Sequence, residues 1–304
     1  MTAWNITPET IPPGRNPIVR ERLLRRMLPY LEAAPLALIL GAFLVVPMIA
    51  IFVVSFWGYD SVQPVPDFTL ENYSLLLTSR AVWLTFLNTF RFAANTWAIT
   101  LVLGFSMAFY LAFFVRSSGW RMALLIACTV PFWTSNVIRM IAWLPLLGRE
   151  GLVNALLLKV GLIIRPLDAL LYSDFAVILA YVQLYTLFML APILNSMARI
   201  DRSIIEAAID AGAGLRMIMF EIVAPLAKTG ITIGSVLVIA LVLGDFITLR
   251  VMSGGQSPAV GLMIYNEIGL VQYPDAAAAS MLLLVAVMMV VGAILRFVDI
   301  RREL

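Results

Sequence analysis

Six long apolar stretches divide the chain: roughly residues 33–57, 86–115, 121–147, 175–198, 227–249 and 276–298. Each holds the ~20 mostly apolar residues that an α-helix needs to cross a hydrocarbon core. The pattern predicts an all-α membrane protein with six spans and short polar connections. Residues 1–32 read as a separate segment, polar and Pro-rich through Pro17, then basic through Arg26. The apolar run after it is too long for a cleavable leader, so it is expected to remain as the first span. The connection 58–82 carries Asp60, Asp67, Glu71 and a "QPVPDF" turn. Within 148–174, "GLVNALLLKVGLI" has helical spacing but is short and interrupted, and predicts an interfacial or re-entrant helix.

The connection 199–226 breaks this rhythm. "RSIIEAAIDAGAGLRMIMFEIVAPLA", Arg202–Ala227, is too polar to cross a bilayer and too apolar for an idle linker. Ser203–Glu206 is S-x-x-E, which predicts a capping box opening a helix. Arg202, Glu206 and Asp210 follow one another at i,i+4, so charge lines one face. Gly212 and Gly214 predict a bend, and Leu215, Met219 and Ile222 begin a second amphipathic turn or two. Pro225 suits the first turn of the fifth span. Two readings stand side by side: a plain surface connection, or a docking handle with small residues that let another backbone approach.

Positive charge sets the orientation. With the termini and the second and fourth connections on the cytoplasmic side, fourteen Lys and Arg flank the spans there, against five on the other side. That bias predicts both termini in the cytoplasm. Composition narrows the chemistry further. Hydrophobic residues make up 62% of the chain and charged residues 13%, which leaves no room for a soluble domain of ordinary size. A single cysteine, Cys128, excludes an internal disulfide and a cysteine metal cluster. The chain has no histidine, the usual metal ligand and near-neutral acid/base. No G-x-x-x-x-G-K-[ST] occurs, so the chain is expected to bind no ATP and no cofactor of its own.

Ionisable groups inside spans are costly and mark pathways or pairs. Arg91, Arg139 and Asp245 qualify, and residue counting puts all three toward the outer side of the membrane. Arg139 and Asp245 are candidates for a structural ion pair. Alternatively Asp245, with Glu267 or Asp275 outside, attracts a cationic amine. Trp133, Trp143, Tyr181 and Tyr185 are candidate cation–π walls, and Asn136, Gln183 and Asn195 candidate hydrogen-bonding residues. An autonomous secondary transporter would need inverted repeats, and an intramembrane enzyme would need paired acids or a metal set. Neither pattern is found.

Glu206-Ala207-Ala208, with Asp210, Gly212 and Ala213 and a hydrophobic run to Pro225, resembles the EAA loop of ABC importer permeases. Ala224 stands where that loop usually has leucine. "NVIRMIAWLPLLGREGLVNALL" (Asn136–Leu157) and "GDFITLRVMSGG" (Gly244–Gly255) are similar to segments of the spermidine/putrescine-type permeases, with Leu249 where proline is common. The resemblance implies the type I importer permease fold in a bacterial inner membrane. It implies that the loop 199–226 is a coupling helix docking on a separate ATPase, which carries ATP and magnesium, through Glu206, Ala207, Ala208, Asp210, Gly212 and Ala213. It further implies a second permease subunit, a solute-binding protein and no nucleic acid. The solute would be a polyamine or a related small cationic or amino-acid-like molecule.

Overall fold

The computed structural model describes residues 34–296 apart from 61, 62 and 116. The basic amino-terminal segment and both chain termini therefore lie outside the described residues. The first compact unit ends at Val53. Helix α1 (Ala34–Val54), all but its last residue in this unit, is apolar on every side, as a helix facing lipid must be.

The second unit, from Val54 on, opens with a hairpin, β1 (Gly58–Asp60) against β2 (Gln63–Val65), antiparallel with Tyr59 opposite Pro64. Short helix α2 (Glu71–Thr78) leads into α3 (Arg80–Phe114), which Ser79 caps by accepting from the Val82 amide. Then come α4 (Gly119–Trp133), α5 (Asn136–Leu147), α6 (Leu152–Lys159), α7 (Asp174–Met197), α8 (Arg202–Asp210) and α9 (Leu215–Leu226). The chain closes with α10 (Lys228–Gly244), α11 (Ile247–Met252), α12 (Val260–Gly269) and α13 (Tyr273–Arg296). Among the described residues five helical stretches are long and apolar enough to cross a membrane (α1, α3, α5 with α6 over Asn136–Lys159, α7 and α13), or six if α9 and α10, bent by 75°, count as one span.

Helices α3, α7 and α10 form the core. The buried stripe of α3 is mostly small or hydroxylated, through Thr85, Thr89, Ala93, Thr96, Thr100, Gly104 and Ala108, with Phe92, Phe109 and Leu111 the large exceptions, while Trp83, Leu84, Leu87, Val102 and Leu103 are exposed. This inverts a water-soluble helix. Lipid tails are as apolar as leucine, so helices associate through close packing of small residues rather than by hiding large ones. The threonine hydroxyls donate back along their own helix: Thr85 to Ala81 O, Thr89 to Thr85 O and Thr100 to Thr96 O. Glycines bring α7 against its neighbours. A Cβ on Gly104 would stand 2.9 Å from Met189 Cγ, and one on Gly230 only 2.4 Å from the Pro192 carbonyl.

Two of the expected spans are not continuous helices. The third breaks between α4 and α5, where Thr134 (ψ 151°) and Ser135 (ψ 141°) are extended. Pro131, which has no amide proton to give, sits in the tighter turn Val130–Trp133 just before. The fifth breaks after Gly244, where Asp245 is extended (φ −86°, ψ 121°) before α11 begins. The short helix expected in 148–174 is α6, and Asn154 fixes it by donating to Gly148 O and Leu167 O and accepting from the Leu167 amide.

Candidate functional site

The two helix breaks come together. Asp245 Oδ1 accepts from the Thr248 amide (3.0 Å), so the carboxylate caps α11 and holds the break open. Asp245 Oδ2 accepts from Thr248 Oγ1 (2.6 Å) and from the Tyr185 hydroxyl of α7 (2.7 Å). The Tyr181 hydroxyl donates to the Asp245 carbonyl (3.3 Å), and the two tyrosine rings stack at 5.7 Å. A carboxylate has about four acceptor positions; three are occupied here. Asp245, Tyr185, Gly244, Thr248 and Asn136, the first residue of α5, line a cavity of about 320 Å³. Sequence reasoning singled out Asp245, Tyr185 and Asn136. Thr248 was missed, because its hydroxyl matters only once the chain leaves the helix at Asp245.

The expected ion pair between Arg139 and Asp245 does not form. Tyr185 and Thr248 fill three of the carboxylate's acceptor positions, and Arg139 finds its partner one turn back on α5 instead. Its Nη2 donates to Asn136 Oδ1 one turn back, and its guanidinium lies over the Phe132 ring, 4.9 Å from the centroid. Arg139 is 8% exposed, yet its Nε and Nη1 have no hydrogen-bond partner. A charge at such depth costs at least ~2.5 kcal/mol on insertion scales; a desolvated ring face offsets ~2 kcal/mol or more of that but gives neither nitrogen a hydrogen-bond acceptor. Arg139 is therefore under-satisfied.

The other candidates scatter. Trp133 is 84% exposed and does not line the cavity, since the extended Thr134–Ser135 turn separates it from Asn136. Trp143 donates to Gln183 Oε1 at 2.6 Å, a link between α5 and α7. Arg91 of α3 pairs with Asp174, the first residue of α7, a partner that sequence did not suggest. Ser257 Oγ also donates to Asp174 Oδ1 (2.6 Å). Glu267 of α12 lies away from the Asp245 cavity; burial, with Asp275 adding to it, raises its carboxyl above the usual range.

At the other end of α7 lies the polar connection. Its first helix starts two residues earlier than a capping box at Ser203 requires, because Asp201 rather than Ser203 caps it, accepting from the Ser203 amide at 3.0 Å. That bond holds the Asp201 carboxyl below its ordinary range. Removing the cap in Asp201→Ala should loosen the start of α8, read as faster amide exchange confined to residues 202–206. Arg202 does not lie with Glu206; its Nη2 is 3.5 Å from Ala112 O, beside Arg121, which donates to Val115 O (3.1 Å). Two arginines thus meet the negative end of α3 and tie α8 to it. Gly212 has φ +84°, the left-handed conformation that closes a helix, and its amide donates to Ile209 O. Glu206, Ala207, Asp210 and Gly212 are exposed, as are Ile209 and Leu215, whereas Ala208 and Ala213 are half-buried against the body of the chain.

No family model matches the chain. It is 31% identical over 243 residues to the spermidine/putrescine transport system permease protein PotB of Escherichia coli K12, covering 79% of this chain and 87% of that one. The chain belongs to the ABC transporter permeases. The PotB of Haemophilus influenzae is 29% identical over 232 residues, 74% of this chain and 78% of that one. The fold agrees: a subunit of the bacterial alginate ABC transporter, solved with its alginate-bound periplasmic protein, superposes with a TM-score of 0.70 at 18% identity, over 90% of this chain and 94% of that one. The permease is a membrane transport subunit of the inner membrane, not an enzyme. One side of it is grooved. Leu187, Ala191 and Asn195 of α7 and Ile233 and Leu237 of α10 line a cavity of about 970 Å³ that reaches Arg199 and Asp201. On α10 the same side continues through Leu241 and Gly244 to Asp245.

Proposed function

We propose that this permease is the membrane subunit of an ATP-driven, binding-protein-dependent importer of a small amine: a polyamine such as spermidine or putrescine, or a related cationic or amino-acid-like solute. The observation that carries the solute class is Asp245, an anionic group held by Tyr185 and Thr248 at a helix break, with one acceptor position left toward a cavity. Two tyrosine rings stack beside it. Relatives named for spermidine and putrescine transport support the same class.

The groove along α7 and α10 is half of a pathway in this reading. A second permease subunit, most simply a different but related chain, supplies the other half. A solute-binding protein delivers the solute to the end bearing α12, as the periplasmic protein seen on the alginate transporter suggests. The loop 199–226 faces the cytoplasm and takes hold of a separate ATPase, which binds ATP and magnesium. Exposed Ile209 and Leu215 give it an apolar centre, and Glu206 and Asp210 a charged rim. Closure of the ATPase then pulls on α3 through Arg202 and on α10 through the bend after α9.

The test is uptake of labelled putrescine and spermidine by vesicles holding the permease with its ATPase, second permease and binding protein. Gly212→Val should lower ATP-driven uptake about tenfold, because a β-branched residue resists the left-handed conformation by at least 1–2 kcal/mol. It should also weaken copurification of the ATPase. Uptake unchanged by Gly212→Val would remove the loop from the coupling; uptake of neither amine would remove the polyamines from the solute class.

A further inference from the structure

The strongest unexplained feature is positive. Helix α5 begins at the break of the third span, and Ser135 at its cap position offers no side-chain hydrogen bond to the first turn. Its leading amides are thus left without a capping acceptor at the positive end of a twelve-residue helix. One turn on, Arg139 is more than nine-tenths buried, with Nε and Nη1 unpartnered, and it reaches back to that same turn through Asn136 Oδ1. Asn136 also lines the cavity of Asp245. Uncapped amides, a buried guanidinium with two unpartnered nitrogens and a side-chain amide make an anion-binding set, whose fork geometry suits a carboxylate.

We infer that the permease passes a solute bearing a carboxylate as well as an amine, the carboxylate received by Arg139 and the first turn of α5 while the amine faces Asp245. This deepens the reading of Asp245 as the amine-facing group and rests on it. A diamine would set its second ammonium against a buried guanidinium, whereas an amino acid of similar length would neutralise it. Each helix break thus receives one end of a bipolar molecule.

The experiment is direct binding to the assembled transporter in nanodiscs without its binding protein, followed by saturation-transfer NMR. The probes are γ-aminobutyrate and putrescine, four-carbon molecules that differ in a carboxylate against a second amine. The wild type should prefer γ-aminobutyrate, and acetate should compete with it. Arg139→Gln should lower that preference at least tenfold, with Arg139→Lys restoring part of it, and copurification of the ATPase confirms that both variants assemble. Putrescine bound as well as or better than γ-aminobutyrate, or a preference that Arg139→Gln leaves unchanged, overturns the carboxylate subsite while leaving Asp245 as an amine site. If Asp245→Asn changes neither probe, or neither probe binds, the amine reading fails too.

Discussion

Asp245→Asn is expected to reduce uptake of an amine ~10- to 100-fold, since a hydrogen bond to a charged group contributes ~1.5–3 kcal/mol and 1.4 kcal/mol is tenfold. The substitution changes two things, and they separate. It removes the negative charge that faces the cavity. It also replaces an acceptor-only group by an amide: its oxygen can keep the Thr248 amide, but its NH₂ then donates, and the hydroxyls of Tyr185 and Thr248 have to turn and accept. Tyr185→Phe isolates the second effect, because it deletes one hydrogen bond and keeps the charge. Uptake in Tyr185→Phe should therefore fall only severalfold. Equal losses in the two variants would mean that Asp245 holds the helix break and does not meet the solute.

Gly230→Leu should abolish accumulation of folded protein. A Cβ at this position would stand 2.4 Å from the Pro192 carbonyl, 2.6 Å from Ser196 Oγ and 2.9 Å from Ile193 Cα, and two of those three atoms are backbone. Overpacking a core ordinarily costs ~1–3 kcal/mol when side chains can shift. Here α7 itself would have to move away from α10, and the groove that both helices line would move with it. Gly244→Leu is the contrast, because nothing lies within 4 Å of its Cβ position. Size-exclusion profiles and thermal unfolding in detergent distinguish the two. A Gly230→Leu protein that remains monodisperse with an unchanged melting temperature would show that the α7–α10 contact is not the seam of the fold.

Of these two positions Asp245 was legible in the sequence, whereas Gly230 was not, because its close contacts lie on another helix. The spans were legible because a bilayer imposes a length and a composition on each one, whatever the helix touches. Asp245 stood out because a charge within a span is costly wherever it lies. The polar loop was visible through its departure from the apolar pattern, and its Gly212 does take the left-handed conformation that ends α8. Its cap was misplaced by two residues, since both Asp201 and Ser203 are competent caps and only the path of the chain leaving α7 selects one.

What stayed hidden was pairing. Of Arg91, Arg139 and Asp245, nearness along the membrane favoured Arg139 with Asp245, and Asp174 at the start of α7 was not among the candidates. The fold gives Asp174 to Arg91 and leaves Arg139 with Asn136 and the Phe132 ring. The sequence by itself determined that this chain is a helical membrane permease with one polar handle, because hydropathy and local motifs are properties of contiguous residues. Only the tertiary structure decided that two spans break, that the breaks meet around one cavity, and which charges find partners there. Those outcomes depend on where α5, α7 and α11 cross, and a crossing is set by small residues on facing helices far apart in the chain.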